Sequence, residues 1–314
     1  MTTLTLATAT AALMGTTALA DVTTQTLSFE STGETLTGTL YLPSGFDGTP
    51  TDAVIVTGAW TSVEEQMPAT YAREMAERGL IAVTFDFRGW GKSGDLPNGQ
   101  RFIEDPAAKT ADIRAAIDYV AALPQVAGLH GLGICASAGY MVDATRGDDR
   151  IASVGLVAPW LQDREIVEAV YGGPDGVAGL MQVAADAEAA GGQIIPAAGP
   201  EGAEGVLMPM GGYYYEPSRG AIPEYDDAWN NAGWDDWLSY HPVNEAESFD
   251  RPLAIVHSDA AAIPQGVRSF VDRMTGEATQ AWLQDVTQFD FYDDPAAVQE
   301  ASDTVAAHFR AYGA

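Results

Sequence analysis

Apolar residues recur along the chain with two different rhythms. "TQTLSFESTGETLTGTLYLP" places them at alternate positions around Gly33 and Gly38, the pattern of an antiparallel hairpin or meander. "DAVIVTGAW" (52–60) and "LIAVTFDF" (80–87) are continuous apolar runs, which predicts strands buried on both faces. Between them, "PATYAREMAERG" predicts a helix closed by Gly79. "PAAKTADIRAAIDYVAAL" sets Ile113, Ala116, Ile117 and Val120 on one helical face. Further strands follow in "AGLHGLGIC", "IASVGLVAP", "RPLAIVHSD" (251–259) and "ATQAWLQDV". Helices are predicted over "ASAGYMVDATR" and the closing "PAAVQEASDTVAAHFRAY".

Strands that alternate with helices predict an α/β fold, a mostly parallel sheet flanked by helices. Ligands on such sheets sit beyond the carboxyl ends of the strands. The rhythm breaks from Pro159 to Glu245, where Trp160, Trp229, Trp234, Trp237 and Tyr213-Tyr214-Tyr215 cluster among many glycines. We read 159–245 as a cap insertion and 21–158 with 246–314 as the core. Residues 184–205, rich in Ala, Gly and Glu, are expected to be its mobile part.

Composition narrows the range of partners. The 314 residues are 46% hydrophobic, enough for a large core and a cap. Fifteen Lys and Arg stand against 44 Asp and Glu, a net charge of −29. That surface repels nucleic acid and anionic membranes; it reads as a plain solvated acidic surface, with a salty habitat or a cationic partner as the alternatives. Residues 1–20 are uncharged, small and apolar, and end in Ala18-Leu19-Ala20. They read as a secretory signal without its basic start, with the mature chain beginning near Asp21 in the periplasm or outside the cell. No membrane insertion is expected after its removal. The four histidines are scattered, and "FRGWGKSG" lacks the full phosphate-loop spacing, so neither metal nor cofactor is expected.

Candidate chemistry gathers in "LHGLGICASAGYM" (129–141), which holds the single cysteine, Cys135. Gly133-Ile134-Cys135-Ala136-Ser137 has the shape Gly-x-nucleophile-x-small between a strand and a helix. Such a turn lifts the central side chain above the sheet, and the helix's amino end lowers a thiol pKa. Two readings compete. With Cys135 as nucleophile, Gly133 and Ser137 flank it; with Ser137, Cys135 and Gly139 do. A third takes Cys135 as a small buried hydrophobe.

With this turn, "VIVTGAWTSVEEQM", "FDFRGWGKSG", "IVHSD" and "TQFDFYDDP", the chain resembles the α/β-hydrolases, and within them the dienelactone-hydrolase-like group, which carries Gly-x-Cys at the turn. The resemblance implies an oxyanion hole made by the backbone N–H groups of Trp60 and Ala136. It implies hydrolysis of a small ester, lactone or thioester through an acyl intermediate. It places the triad acid at Ala260; the nearest carboxylate is Asp259, which becomes the candidate. It places the catalytic histidine at Gln288, and glutamine takes no proton from a thiol. His257, at a strand's carboxyl end, and His241, after the cap aromatics, are the candidate replacements; His130 reads as core and His308 as surface. Glu65 shares the loop of Trp60 and reads as solvated. The alternative function is an impaired hydrolase fold that binds a hydrophobic ligand under the cap.

Overall fold

The computed structural model describes residues 21–314; the expected export signal, 1–20, lies outside them. The alternating segment forms the hairpin β1 (Thr23–Ser31) and β2 (Glu34–Leu42), closed by the two-residue turn Thr32-Gly33. The continuous apolar runs become β3 (Thr51–Thr57), β4 (Ile81–Phe85), β5 (Val126–Ile134) and β6 (Ile151–Val157). They are joined by β7 (Leu253–Ser258) and β8 (Ala278–Leu283) in one eight-stranded sheet. Its order is β1-β2-β4-β3-β5-β6-β7-β8. The hairpin enters antiparallel, β2 against β4, and every later pairing is parallel. Gly38 makes the entry possible, since a Cβ there would lie 2.2 Å from the Thr84 carbonyl oxygen.

The helices α1 (Met67–Glu77), α2 (Pro106–Ala121) and α3 (Ser137–Thr145) cross between core strands. The helical stripe of α2 is buried as its spacing predicts: Ile113, Ala116, Ile117 and Val120 are all fully covered. Between β6 and β7 the chain runs through α4 (Arg164–Val170), α5 (Gly173–Ala189) and α6 (Trp234–Ser239). After β7 come α7 (Pro264–Arg273), the single turn α8 (Asp290–Asp293) and α9 (Pro295–Tyr312).

The insertion is anchored by aromatic stacking. Trp60 of the β3–α1 loop lies 4.8–5.8 Å, ring to ring, from Trp229, Trp234 and Trp237. Two expectations change here. Residues 184–189 are the end of α5, and Ala184 and Ala187, one helical turn apart, are buried. Ile194–Ile195 then pairs with Trp229–Asn230 in a short ladder, so this stretch is largely fixed by backbone hydrogen bonds. His308, expected at the surface, is only 7% exposed, because α9 turns that face toward the start of β7 at Pro252. Among the described residues no helix is long and apolar enough to cross a membrane.

Candidate active site

β5 delivers the chain to the sheet's carboxyl edge, and α3 must start at once. Cys135 makes the reversal with φ 56°, a left-handed backbone that a side-chain-bearing residue adopts only under constraint. Its N–H donates to the Val157 carbonyl and its carbonyl accepts from Trp160 N–H, at 3.1 and 2.9 Å, so β6 and the chain after it hold the turn. Gly133 is required by contact, because a Cβ would meet both Ala138 Cα and the Ser137 carbonyl at 2.8 Å. Ser137 is folded underneath: its hydroxyl accepts from Ile134 N–H and donates to the Ile134 carbonyl, both at 3.1 Å, and it is fully buried. Of the two candidates, only Cys135 reaches the cavity above the sheet.

That cavity measures about 260 Å³. Trp60, Trp160, Trp234, Trp237 and Tyr171 form one wall, and Met208, Met210, Tyr214 and Phe289 another. Among the described residues no carboxylate, ammonium or imidazole lines it. The polar groups that act on the thiol are the Tyr292 hydroxyl, the backbone N–H groups of Ala136 and Trp60, and the Gln288 amide. The sequence led us to expect an acidic thiol. Instead burial pushes the Cys135 thiol up, and these groups only partly offset it.

Gln288 is satisfied at both ends. Its Oε1 accepts from Ala262 N–H at 3.0 Å, and its Nε2 donates to the Ala158 carbonyl at 2.9 Å and to Tyr292 Oη at 3.1 Å. These partners fix which end of the amide is which. Tyr292 was not singled out from sequence. It sits four residues after Gln288, and burial holds its hydroxyl far above the ordinary range, so it stays protonated in the cavity it shares with Cys135. Tyr71 steadies α8 by donating to the Phe291 carbonyl at 2.8 Å.

The expected acid and bases do not join this group. Asp259 is 75% exposed and pairs with Arg268, which lies over the Trp282 ring. The loop that would carry the acid is Ala260-Ala261-Ala262, and it offers Gln288 a backbone N–H in place of a carboxylate. His257 lies buried in β7 against Trp282, with neither ring nitrogen hydrogen-bonded, and burial draws its pKa down to about 4. His241 lines a separate cleft with Arg164 and Glu168. His130 is buried against Phe309.

Beside the Trp60 loop, Glu65 pairs with Lys92 at the surface, whereas its neighbour Glu64 is buried. Glu64 accepts from Thr84 and Thr39, and its N–H donates to Asp86. Burial raises Glu64 to about 7 and Asp86 to about 6. Glu64, Glu65 and Asp86 offer oxygens within 4.8 Å of one another, but Glu64 and Asp86 are already committed to the Thr84 hydroxyl and to the N–H groups of Glu64 and Lys92.

Comparison with known proteins gives the arrangement a frame. No protein-family model matches the chain. Uncharacterized protein YcjY of Escherichia coli is 36% identical over 126 residues, 39% of this chain and 40% of the relative. Polyketide transferase claH of Penicillium crustosum is 30% identical over 109 residues, 33% of this chain and 34% of the relative. The matches therefore span well under half of these relatives. Among solved structures, the hypothetical protein PA2218 of Pseudomonas aeruginosa superposes with a TM-score of 0.80 over 99% of this chain and 100% of that one, at 22% identity. The α/β hydrolase GrgF of a Penicillium species superposes with a TM-score of 0.71 over 92% and 99%, at 18% identity. The chain has the α/β-hydrolase fold. Within this α/β-hydrolase fold the turn at Cys135 stands where β5 meets α3, and Gln288 lies on the loop after β8. Est1E of Butyrivibrio proteoclasticus with ferulic acid bound superposes with a TM-score of 0.63 over 91% of this chain and 99% of that one, at 16% identity.

Proposed function

We propose that this α/β-hydrolase-fold protein takes an acyl group with an apolar body from a small ester, lactone or thioester onto Cys135 and gives it up slowly. The observation that carries this reading is the Cys135 sulfur at the floor of an aromatic cavity, met by the N–H groups of Trp60 and Ala136. Donors converging there serve the oxygen of a tetrahedral adduct one bond further out. In acylation sulfur bonds to the carbonyl carbon, the bond to the leaving oxygen or sulfur breaks, and the thiol proton departs with the alcohol or thiol. Tyr292 is the protonated group in contact with that sulfur. The Gly-x-Cys turn favours a relationship with dienelactone-hydrolase-like proteins within the fold.

Release is the slow step. Hydrolysis of a thioester needs a group that takes a proton from water, a contribution of roughly 100- to 10,000-fold. Gln288 cannot do this, and Tyr292 is held neutral. Mixing the protein with p-nitrophenyl butyrate and recording both the burst of nitrophenol and the intact mass tests the reading. A burst of one equivalent, with the acyl group mapped to Cys135, supports it; an unmodified protein, or an acyl group on Ser137, overturns it.

A second reading rests on the same lining. A neutral thiol in a cavity without a base suits reversible binding of a hydrophobic ligand. It gains if apolar ligands bind tightly and no ester leaves an adduct. Export belongs to the proposal as well: expressed with its own leader in a Gram-negative host, the mature protein should begin near Asp21.

A further inference from the structure

The two donors of the oxyanion hole sit on separate segments, Trp60 on the β3–α1 loop and Ala136 at the start of α3, so their spacing is set by whatever ties those segments together. We propose that Glu104 is that tie: a positioning residue that holds the Trp60 loop against α3 and so sets the hole's geometry. This rests on the acyl-capture reading of Cys135.

Glu104 precedes α2 and is fully buried, a position no part of the chemistry above accounts for. Its Oε1 accepts from the Tyr140 hydroxyl on α3 at 2.8 Å. Its Oε2 accepts from the N–H of Thr61, the residue after Trp60, at 3.5 Å. Thr61 has φ 60°, so its N–H is aimed by a strained backbone that the carboxylate helps to hold. Lys109 Nζ donates to the same Oε1 at 2.7 Å and lies 4.9 Å from the centres of the Phe87 and Trp90 rings.

The same junction reaches the cap. Thr61 Oγ1 is 3.1 Å from Tyr225 Oη, and Asn230 N–H donates to the carbonyl of Phe102, two residues before Glu104, at 2.7 Å. A buried ion pair is a poor source of net stability, because desolvating two charges cancels most of their attraction. A carboxylate with both oxygens committed to different segments fixes their separation, which two apolar side chains would not. Glutamine has one accepting oxygen and cannot hold both.

The test compares two reactions of Cys135 in the full chain. Acylation by p-nitrophenyl butyrate builds an oxyanion; alkylation by iodoacetamide does not. Removing one oxyanion donor outright costs on the order of 100- to 1,000-fold, so a loosened one should slow acylation by about tenfold or more. Glu104→Gln is expected to do this while alkylation changes by less than about threefold, since alkylation builds no oxyanion for the Trp60 N–H to hold. If that variant does not fold, Tyr140→Phe is read by the same criteria, because it breaks the α3 contact and leaves the Glu104–Lys109 pair intact. Acylation at the wild-type rate overturns the inference. So does an equal fall in acylation and alkylation, which marks a purely structural role. A wild-type protein that takes no acyl group overturns the acyl-capture reading, and this inference with it.

Discussion

The site has two halves built in different ways. On one side stand the turn at Cys135 and the Trp60 loop, on the other the loops after β7 and β8. The first half is made of backbone: a left-handed Cys135, a glycine pressed on Ala138, and the N–H groups of Trp60 and Ala136 beside the thiol. In the second half stand a glutamine held by two backbone groups and the Tyr292 hydroxyl, three alanines and an aspartate turned to solvent. The packing around Gln288 is intact although nothing in it can shuttle a proton. On the proposed reading, backbone geometry and proton chemistry are separable in this fold.

Cys135→Ala attacks the first half directly. Acylation should be lost altogether, whereas Ser137→Ala should acylate normally and lose only about 1 kcal/mol of stability for its buried hydrogen bonds. Stopped-flow bursts and thermal melts of both variants check this, and a burst that survives Cys135→Ala moves the nucleophile elsewhere. Gly133→Val tests the backbone beneath it. Two branched methyls where a single Cβ already meets backbone at 2.8 Å should cost about 3 kcal/mol, read by urea denaturation.

His257→Leu asks whether the second half has a hidden base. Both burst and turnover should be unchanged, since the ring lies outside the cavity. Stability should respond to pH with a defined sign. His257 titrates near 4 when folded and near 6.5 when unfolded, so between those values the unfolded chain binds more protons. The wild type therefore loses stability through this residue as pH falls below 6.5, by about 2 kcal/mol at pH 5 relative to pH 7. The leucine variant should lack that component. A flat difference between the two proteins across pH 5 to 7 would mean that the ring is solvated in the folded state.

How much of this was legible followed the same division. Strand and helix alternation showed in the apolar runs, because strands buried on both faces admit little else. The Cys135 turn showed in its glycine and small residues, since steric demands of a backbone are written in side-chain size. Asp259 misled because one residue of register turns a side chain from the site to solvent, where Arg268 meets it. Tyr292 and Glu104 left no mark of their own. A tyrosine four residues past Gln288 and a glutamate before a helix gain their roles only from what packs on them. The helical 184–189 looked mobile because its alanines carry no strong pattern, yet Ala184 and Ala187 are buried within the cap.

The central claim is that the acylating half works and the releasing half does not. Single-turnover kinetics with a butyryl ester, following acyl-Cys135 by intact mass, measure both halves in one experiment. Acylation should outrun deacylation by about 100-fold or more, and Gln288→His should shorten the acyl-enzyme lifetime by supplying an imidazole at that position. A wild-type acyl-enzyme that never accumulates because water releases it as fast as it forms, together with slower release in Gln288→His, would contradict the account.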